Sequence, residues 1–241
     1  MNEILNIRYY LNASECNAQR HISLPMLVQR LIEVATAHAD ELGVGYTHLR
    51  QYSKTWVLSR LNLSMKQFPD INSFYNIATW VSSINRHFTE RCFTISDDEG
   101  NVLGEALTVW IAIDLETRRG GDMTEIMGHA KIADRACSVG RGSKIPAVTS
   151  PDFVRAHKFG YCDIDFNRHV NSTRYIEALL NSHTVDFYDT HPISMFEIAY
   201  MDEIHFDDRV EIACSTNGNV TTYEITRDGA PATRARLTFA N

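Results

Sequence analysis

The sequence has no run of about 18 apolar residues, the length a helix needs to cross a bilayer, so no segment is predicted to span a membrane. It has no glycine-rich phosphate loop, no dinucleotide fingerprint and no H-E-x-x-H. The usual sequence grounds for nucleotide, nicotinamide or zinc-protease chemistry are therefore missing. No C-x-x-C occurs, and the five cysteines (Cys16, Cys92, Cys137, Cys162 and Cys214) are scattered and odd in number. That points to free thiols in a reducing compartment and away from a disulfide framework or a zinc site. The ten histidines also lack metal-ligand spacing, so neither a metal nor a redox cofactor is predicted. The opening residues, MNEILNIRYYLNASE, lack the basic and apolar regions of a signal peptide, and a cytoplasmic location is the expectation. Positive charge is in deficit: a net charge of -7 argues against nucleic acid as a partner. An acidic partner would have to find a local basic patch.

What is present suits a folded chain. Of 241 residues, 44% are hydrophobic and 22% charged, enough core for one large domain or two of about 100–150 residues. Strand-like NIRYYL precedes SLPMLVQRLIEVATAHADELGVG, whose Leu24, Leu27, Val28, Leu31, Ala35 and Leu42 recur at helical steps. Ser23 is placed to cap this helix, Pro25 falls in its first turn and Gly43 marks its end. Strand-rich segments follow, with a turn at Asp98–Asn101 between two long arms. Residues 128–150 are rich in Gly, Ala and Ser without a period, and are expected to link two domains, 1–127 and 151–241. The order then repeats: the short strand FVRAHKF, a helix over NSTRYIEALLNSHTVDFY, and strands with a turn at Asp228-Gly229. Strands grouped after one helix favour an α+β layer in each half, a long helix on a curved antiparallel sheet.

The chemistry-bearing stretch is DIDFNRHVNSTRY, Asp163 to Tyr175. Asp165, Asn167 and His169 alternate, so in extended backbone they share one side, and Asn171 or Ser172 can cap the helix that follows. A carboxylate, an amide and an imidazole beside a helix N-terminus can activate a water and stabilise an oxyanion. The same residues can equally make an Asx-turn with a packed His ring. Spacing alone leaves both readings open.

DIDFNRHVNSTRYIEALLNS resembles the active-site segment of the acyl–acyl-carrier-protein thioesterases, tandem hotdog-fold enzymes, in the pattern D-x-N-x-H-V-N-x-x-x-Y-I. SLPMLVQRLIEVA, WVLSRLNL and RHFTERCFTISDDEGNVLGEALTVWIAID resemble the first hotdog of the same family. The resemblance implies two hotdog domains, an acyl-acyl carrier protein as substrate, no cofactor, and Asp165, Asn167 and His169 as catalytic residues. It also implies a catalytic Glu on a strand after the second helix. Glu203 in IAYMDEIHFDDRV is the match, with Asp202 as its rival because the match needs a small gap. Plant members carry a Cys directly after that Glu; here the residue is Ile204, so water rather than a thiolate is the implied nucleophile. Cys162 just before the motif reads as no more than a buried thiol.

The first half lacks the motif. SECNAQRHISLP has Glu15, Asn17 and His21 at different spacing, and no second active site is expected there. The resemblance gives that half the acyl chain, although Trp56, Leu58, Trp80 and Trp110 are core candidates first. Arg118, Arg119, Arg141, Lys144, Arg168 and Arg174 are available to an acidic carrier, but read equally as scattered surface charge. An acyl-CoA thioesterase and a non-catalytic acyl-binding protein of the same fold are the alternatives. Whether two copies pair as a homodimer is left open by the sequence.

Overall fold

Ser23 accepts the backbone N–H of Met26, Pro25 sits in the first turn, and the chain leaves the helix through Gly43 at φ +73°. These signals bound α1 (Leu24–Glu41), as the sequence indicates. The computed structural model describes residues 2–128 and 130–240, and the chain divides into two units, Met1–Arg141 and Gly142–Asn241.

The first unit contains β1 (Ile4–Tyr10), α1, α2 (Tyr46–Arg50), β2 (Lys54–Met65), β3 (Phe74–Ile84), β4 (Thr89–Asp97), β5 (Val102–Asp114) and the short α3 (Thr124–Met127). Its sheet runs β1-β3-β4-β5-β2, every pair antiparallel. The β4–β5 turn closes at the expected place. Asp97 Oδ1 accepts the N–H groups of Glu99 and Asn101, and Gly100 takes φ +89°. Helix α1 lies against β1 and β3 and buries Leu27, Val28, Leu31 and Val34 completely.

The second unit contains β6 (Phe153–Lys158), α4 (Ser172–Leu180), α5 (Val185–Thr190), β7 (Ile193–Tyr200), β8 (Arg209–Asn217), β9 (Val220–Arg227) and β10 (Ala230–Phe239). Its sheet runs β6-β8-β9-β10-β7, again antiparallel throughout. Numbered within each unit, both sheets have the order first, third, fourth, fifth, second. The repeat of element order seen in the sequence is thus a repeat of topology: each unit is a hotdog.

Two expectations need correction. The second helix does not run unbroken from 171 to 188. Asn181 ends α4, and Thr184 starts α5 by accepting the N–H of Phe187 at 3.3 Å. A polar cap overrides the apolar steps that continue across it. Glu203 is not on a strand either; it lies in the irregular stretch between β7 and β8.

The stretch read as a linker is packed on the first sheet up to Gly140. Ala133 and Val139 are buried with Trp80, Cys92, Leu107 and Val109. Ala133 N–H donates to Val81 O at 3.0 Å, Trp80 Nε1 to Arg135 O at 3.0 Å, and Asn62 Nδ2 to Gly140 O at 2.8 Å. These residues form a strap without helix or strand.

Candidate active site

The motif forms a tight loop between β6 and α4. A 3-10 turn at Tyr161–Asp163 leads into it. Asp165 N–H then donates to His169 O at 2.8 Å and Arg168 N–H to Asp165 O at 3.0 Å, with Arg168 in the left-handed region at φ +68°. Asp165 Oδ1 accepts the N–H groups of Asn167 at 2.8 Å and His169 at 3.2 Å. The Asx-turn reading therefore describes what the Asp165 carboxylate does: it fixes the loop. Asn167 Nδ2 also reaches Asp165 Oδ2, at 3.4 Å. Asn171 settles the choice of cap, accepting both the N–H and the hydroxyl of Thr173 at 2.9 Å.

The loop is stitched to the stretch after β7. Val170 N–H donates to Ile204 O at 2.8 Å, and His169 pairs antiparallel with His205. This register sets the His169 imidazole beside Glu203, Nε2 to Oε2 at 3.4 Å, and its ring edge-on to His205 with centroids 4.9 Å apart. Asp202, the rival carboxylate, turns the other way and binds Arg227 at 2.7 Å. The structure thus brings Asp165, Asn167, His169 and Glu203 to one loop pair and leaves Asp202 in a separate ion pair.

Three further residues build this geometry, of which the sequence reading had marked Tyr175 alone, as a motif position and a buried helix residue. Arg227 donates to Glu203 O at 2.5 Å and to Asp208 Oδ2 at 3.1 Å, holding the backbone that carries Glu203. Tyr175 accepts the buried Ile204 N–H at 3.2 Å, and burial pushes its hydroxyl well above the usual tyrosine range, so it stays protonated. His205 supplies the ring against His169. Tyr175 is the fixed Tyr of the motif and His205 lies two residues past Glu203, while Arg227 is remote in sequence. Ile204 is fully buried, whereas Cys162, expected to be buried, is exposed on the 3-10 turn. Among the described residues, no three His, Cys, Asp or Glu side chains are grouped to hold a metal ion.

The first unit contains the same loop, in the stretch SECNAQRHISLP whose residue types stand at different spacing. A 3-10 turn at Ala13–Glu15 leads in. Asn17 N–H donates to His21 O at 2.8 Å, Arg20 N–H to Asn17 O at 3.1 Å, and His21 N–H to Asn17 Oδ1 at 3.0 Å. Arg20 has φ +66°, and Ile22 N–H donates to Pro69 O at 2.9 Å. By register, Asn17 stands for Asp165, His21 for His169 and Ser23 for Asn171, which puts Gln19 at the position of Asn167. On the facing stretch Pro69 stands for Ile204, so Phe68 occupies the place of Glu203. The first loop keeps the shape and a histidine, but its carboxylate comes from a different position: His21 Nδ1 meets Asp70 Oδ1 at 2.8 Å, and Asp70 stands where His205 stands in the second loop.

Comparison with known proteins agrees with this architecture. The family model described as acyl-ACP thioesterase N-terminal domain matches residues 3–128, and the acyl-ACP thioesterase C-terminal domain matches 149–241. An oleoyl-acyl carrier protein thioesterase of Arabidopsis thaliana, described as chloroplastic, is 24% identical over 88% of this chain and 64% of its own length. A dodecanoyl-[acyl-carrier-protein] hydrolase of Cinnamomum camphora is 21% identical, covering 87% of this chain and 59% of its own. The chain thus spans less than two thirds of these curated relatives. Among solved structures, an acyl-ACP thioesterase from Bacteroides thetaiotaomicron superimposes with a TM-score of 0.90 at 30% identity, covering 99% of this chain and 98% of that one. A 12:0-ACP thioesterase from Umbellularia californica shares the fold, with a TM-score of 0.90 at 18% identity over 100% of this chain and 98% of its own.

Proposed function

The chain belongs to the acyl-ACP thioesterase family, and from that membership we propose that it hydrolyses acyl thioesters carried on acyl carrier protein, releasing a free fatty acid and the carrier thiol. The observation that supports this most directly is the contact between His169 Nε2 and Glu203 Oε2 at 3.4 Å, on a loop leading into the N-terminus of α4. A carboxylate beside an imidazole, both reached from solvent, can take a proton from water as that water attacks a carbonyl.

In this reading Glu203 is the general base. His169 orients it and receives charge as the water is deprotonated. Asn167, together with N–H groups near the start of α4, polarises the thioester carbonyl. Asp165 is a positioning residue: its carboxylate is committed to the N–H groups of Asn167 and His169. No thiol takes part, since Ile204 follows Glu203. Chemistry is assigned to residues 151–241 and the acyl chain to residues 1–127, because Phe68 replaces the carboxylate in the first loop. The reading keeps the chain in the cytoplasm, whereas the curated relatives are described as chloroplastic.

The test supplies identical acyl chains on carrier protein and on coenzyme A and follows release of free thiol and fatty acid. Faster turnover of the carrier-bound series supports the proposal. Preference for coenzyme A makes the protein an acyl-CoA thioesterase of the same fold, and tight acyl binding without turnover makes it a binding protein.

A further inference from the structure

Cys92 lies on β4 and is fully buried; Cys137 lies on the strap and is half-buried. Two sets of contacts bring them together. Cys137 packs against the cluster that contains Cys92, Trp80, Leu107 and Val109. Its Sγ also approaches Ala106 O at 3.7 Å, and Ala106 precedes Leu107, the cross-strand partner of Cys92. Cys92 Sγ is 3.2 Å from Ser82 Oγ. We propose that Cys92 and Cys137 form a redox pair that closes to a disulfide on reaction with a low-molecular-weight disulfide, pinning the strap to the first sheet.

The two thiols differ in the way such a reaction needs. The neighbouring Cys92 draws the Cys137 thiol below its ordinary range, while Cys137 and burial hold Cys92 above it. Cys137 is therefore the entering nucleophile and Cys92 the resolving thiol. The Cys137 thiolate attacks one sulfur of the reagent, forming a mixed disulfide and expelling one reagent thiolate. The Cys92 sulfur then attacks Cys137, giving up its proton to the second leaving thiolate. Two protein thiols are oxidised to one disulfide and one reagent disulfide is reduced to two thiols. Closing the bond brings the sulfurs to about 2.05 Å. The strap can follow because none of its residues from 130 to 141 is in a helix or strand.

The pair is distinguished from the other thiols by having a thiol in reach. Cys162, exposed on the 3-10 turn before the motif, provides the reference. The reduced full-length protein is incubated with glutathione disulfide, alkylated, digested without reduction and mapped by mass spectrometry. The expected result is loss of two of the five free thiols to a linked Cys92–Cys137 peptide two hydrogens lighter, with Cys162 carrying only a glutathione adduct. In Cys92→Ser the glutathione adduct on Cys137 should persist, and in Cys137→Ser Cys92 should stay unmodified. Cleavage within the strap by a protease should slow in the oxidised protein and recover after reduction. The proposal is overturned if Cys92 and Cys137 both stay reduced while Cys162 is glutathionylated, or if the linked peptide forms only after denaturant is added.

Discussion

Asp202 and Glu203 are neighbours in the chain but serve different partners: Asp202 binds Arg227 at 2.7 Å, and Glu203 meets His169 at 3.4 Å. The backbone between them turns because Arg227 holds both the Asp202 side chain and the Glu203 carbonyl. One arginine thereby points the second carboxylate at the imidazole.

The first prediction separates those two carboxylates. Glu203→Gln removes the base and should lower kcat by on the order of a hundredfold or more. Asp202→Asn weakens a half-exposed ion pair, for which about 1 kcal/mol of stability or less is expected. Steady-state hydrolysis and thermal melting on both variants decide. Equal loss of turnover in the two would return the choice of base to an open question.

Asn167→Ala and His169→Ala should each reduce turnover by about a hundredfold or more while melting like the parent. Asp165→Ala should act differently: it frees two N–H groups of the loop, so lost activity should come with a less stable protein. Cys162→Ala should keep nearly full activity. A trapped acyl-cysteine adduct at position 162 would contradict the water mechanism.

A pH-dependent stability term should come from His38. Its Nδ1 faces Arg91 at 2.8 Å and its Nε2 faces Asn2 O at 3.1 Å, with Thr79 bonded to the same guanidinium at 3.4 Å. Burial first, and Arg91 in addition, lower its pKa from 6.5, against an opposing pull from Glu41 and the Asn2 carbonyl. Burial lowers Arg91 to about 10, so its charge persists across the window. The unfolded chain takes up the proton first. Stability is therefore complete above pH 6.5 and is lost as pH falls from there toward the folded pKa. His157 and His183 shift in the same direction, so the readout is the difference between parent and His38→Gln. Denaturant melts from pH 7.5 to 5 should show a shallower slope in the variant.

Trp56→Ala tests core against tunnel. Trp56 donates to Val44 O at 2.9 Å and packs on the cluster of Leu42, Val44, Leu49 and Met123. The expected outcome is a loss of roughly 3–5 kcal/mol of stability with the acyl-length profile unchanged. A shift toward longer product acids in a stable variant would place Trp56 on the acyl chain instead.

The parts of the fold legible in the sequence were those carried by local chemistry. Ser23, Pro25 and Gly43 bound α1, and Asp97 to Asn101 close the β4–β5 turn, because capping and turn residues act on their own backbone. The break between α4 and α5 was hidden because Val185 and Phe187 continue the apolar steps past Thr184. The strap was hidden because Ala133, Cys137 and Val139 are short side chains without a period, seated by bonds to Trp80 and Asn62 that no local pattern encodes. In the site, the motif gave the residue types, but the direction of Glu203 depends on Arg227, which is distant in sequence. The first loop was overlooked because its likeness to the second lies in amide–carbonyl register and a left-handed Arg, not in matching letters.

That likeness has a historical meaning. Two loops with the same hydrogen-bond register, the same left-handed arginine and the same capped helix beyond them are what copying an ancestral unit leaves behind. Afterwards the symmetry was broken at the side chains, Asn17 against Asp165, Gln19 against Asn167 and Phe68 against Glu203. The register stayed the same, because in both loops a side-chain oxygen of the first residue, Asn17 Oδ1 or Asp165 Oδ1, still accepts the histidine N–H. The first loop thus preserves the register of the second while its side chains make a different pairing, His21 on Asp70 where the second loop has His169 on Glu203.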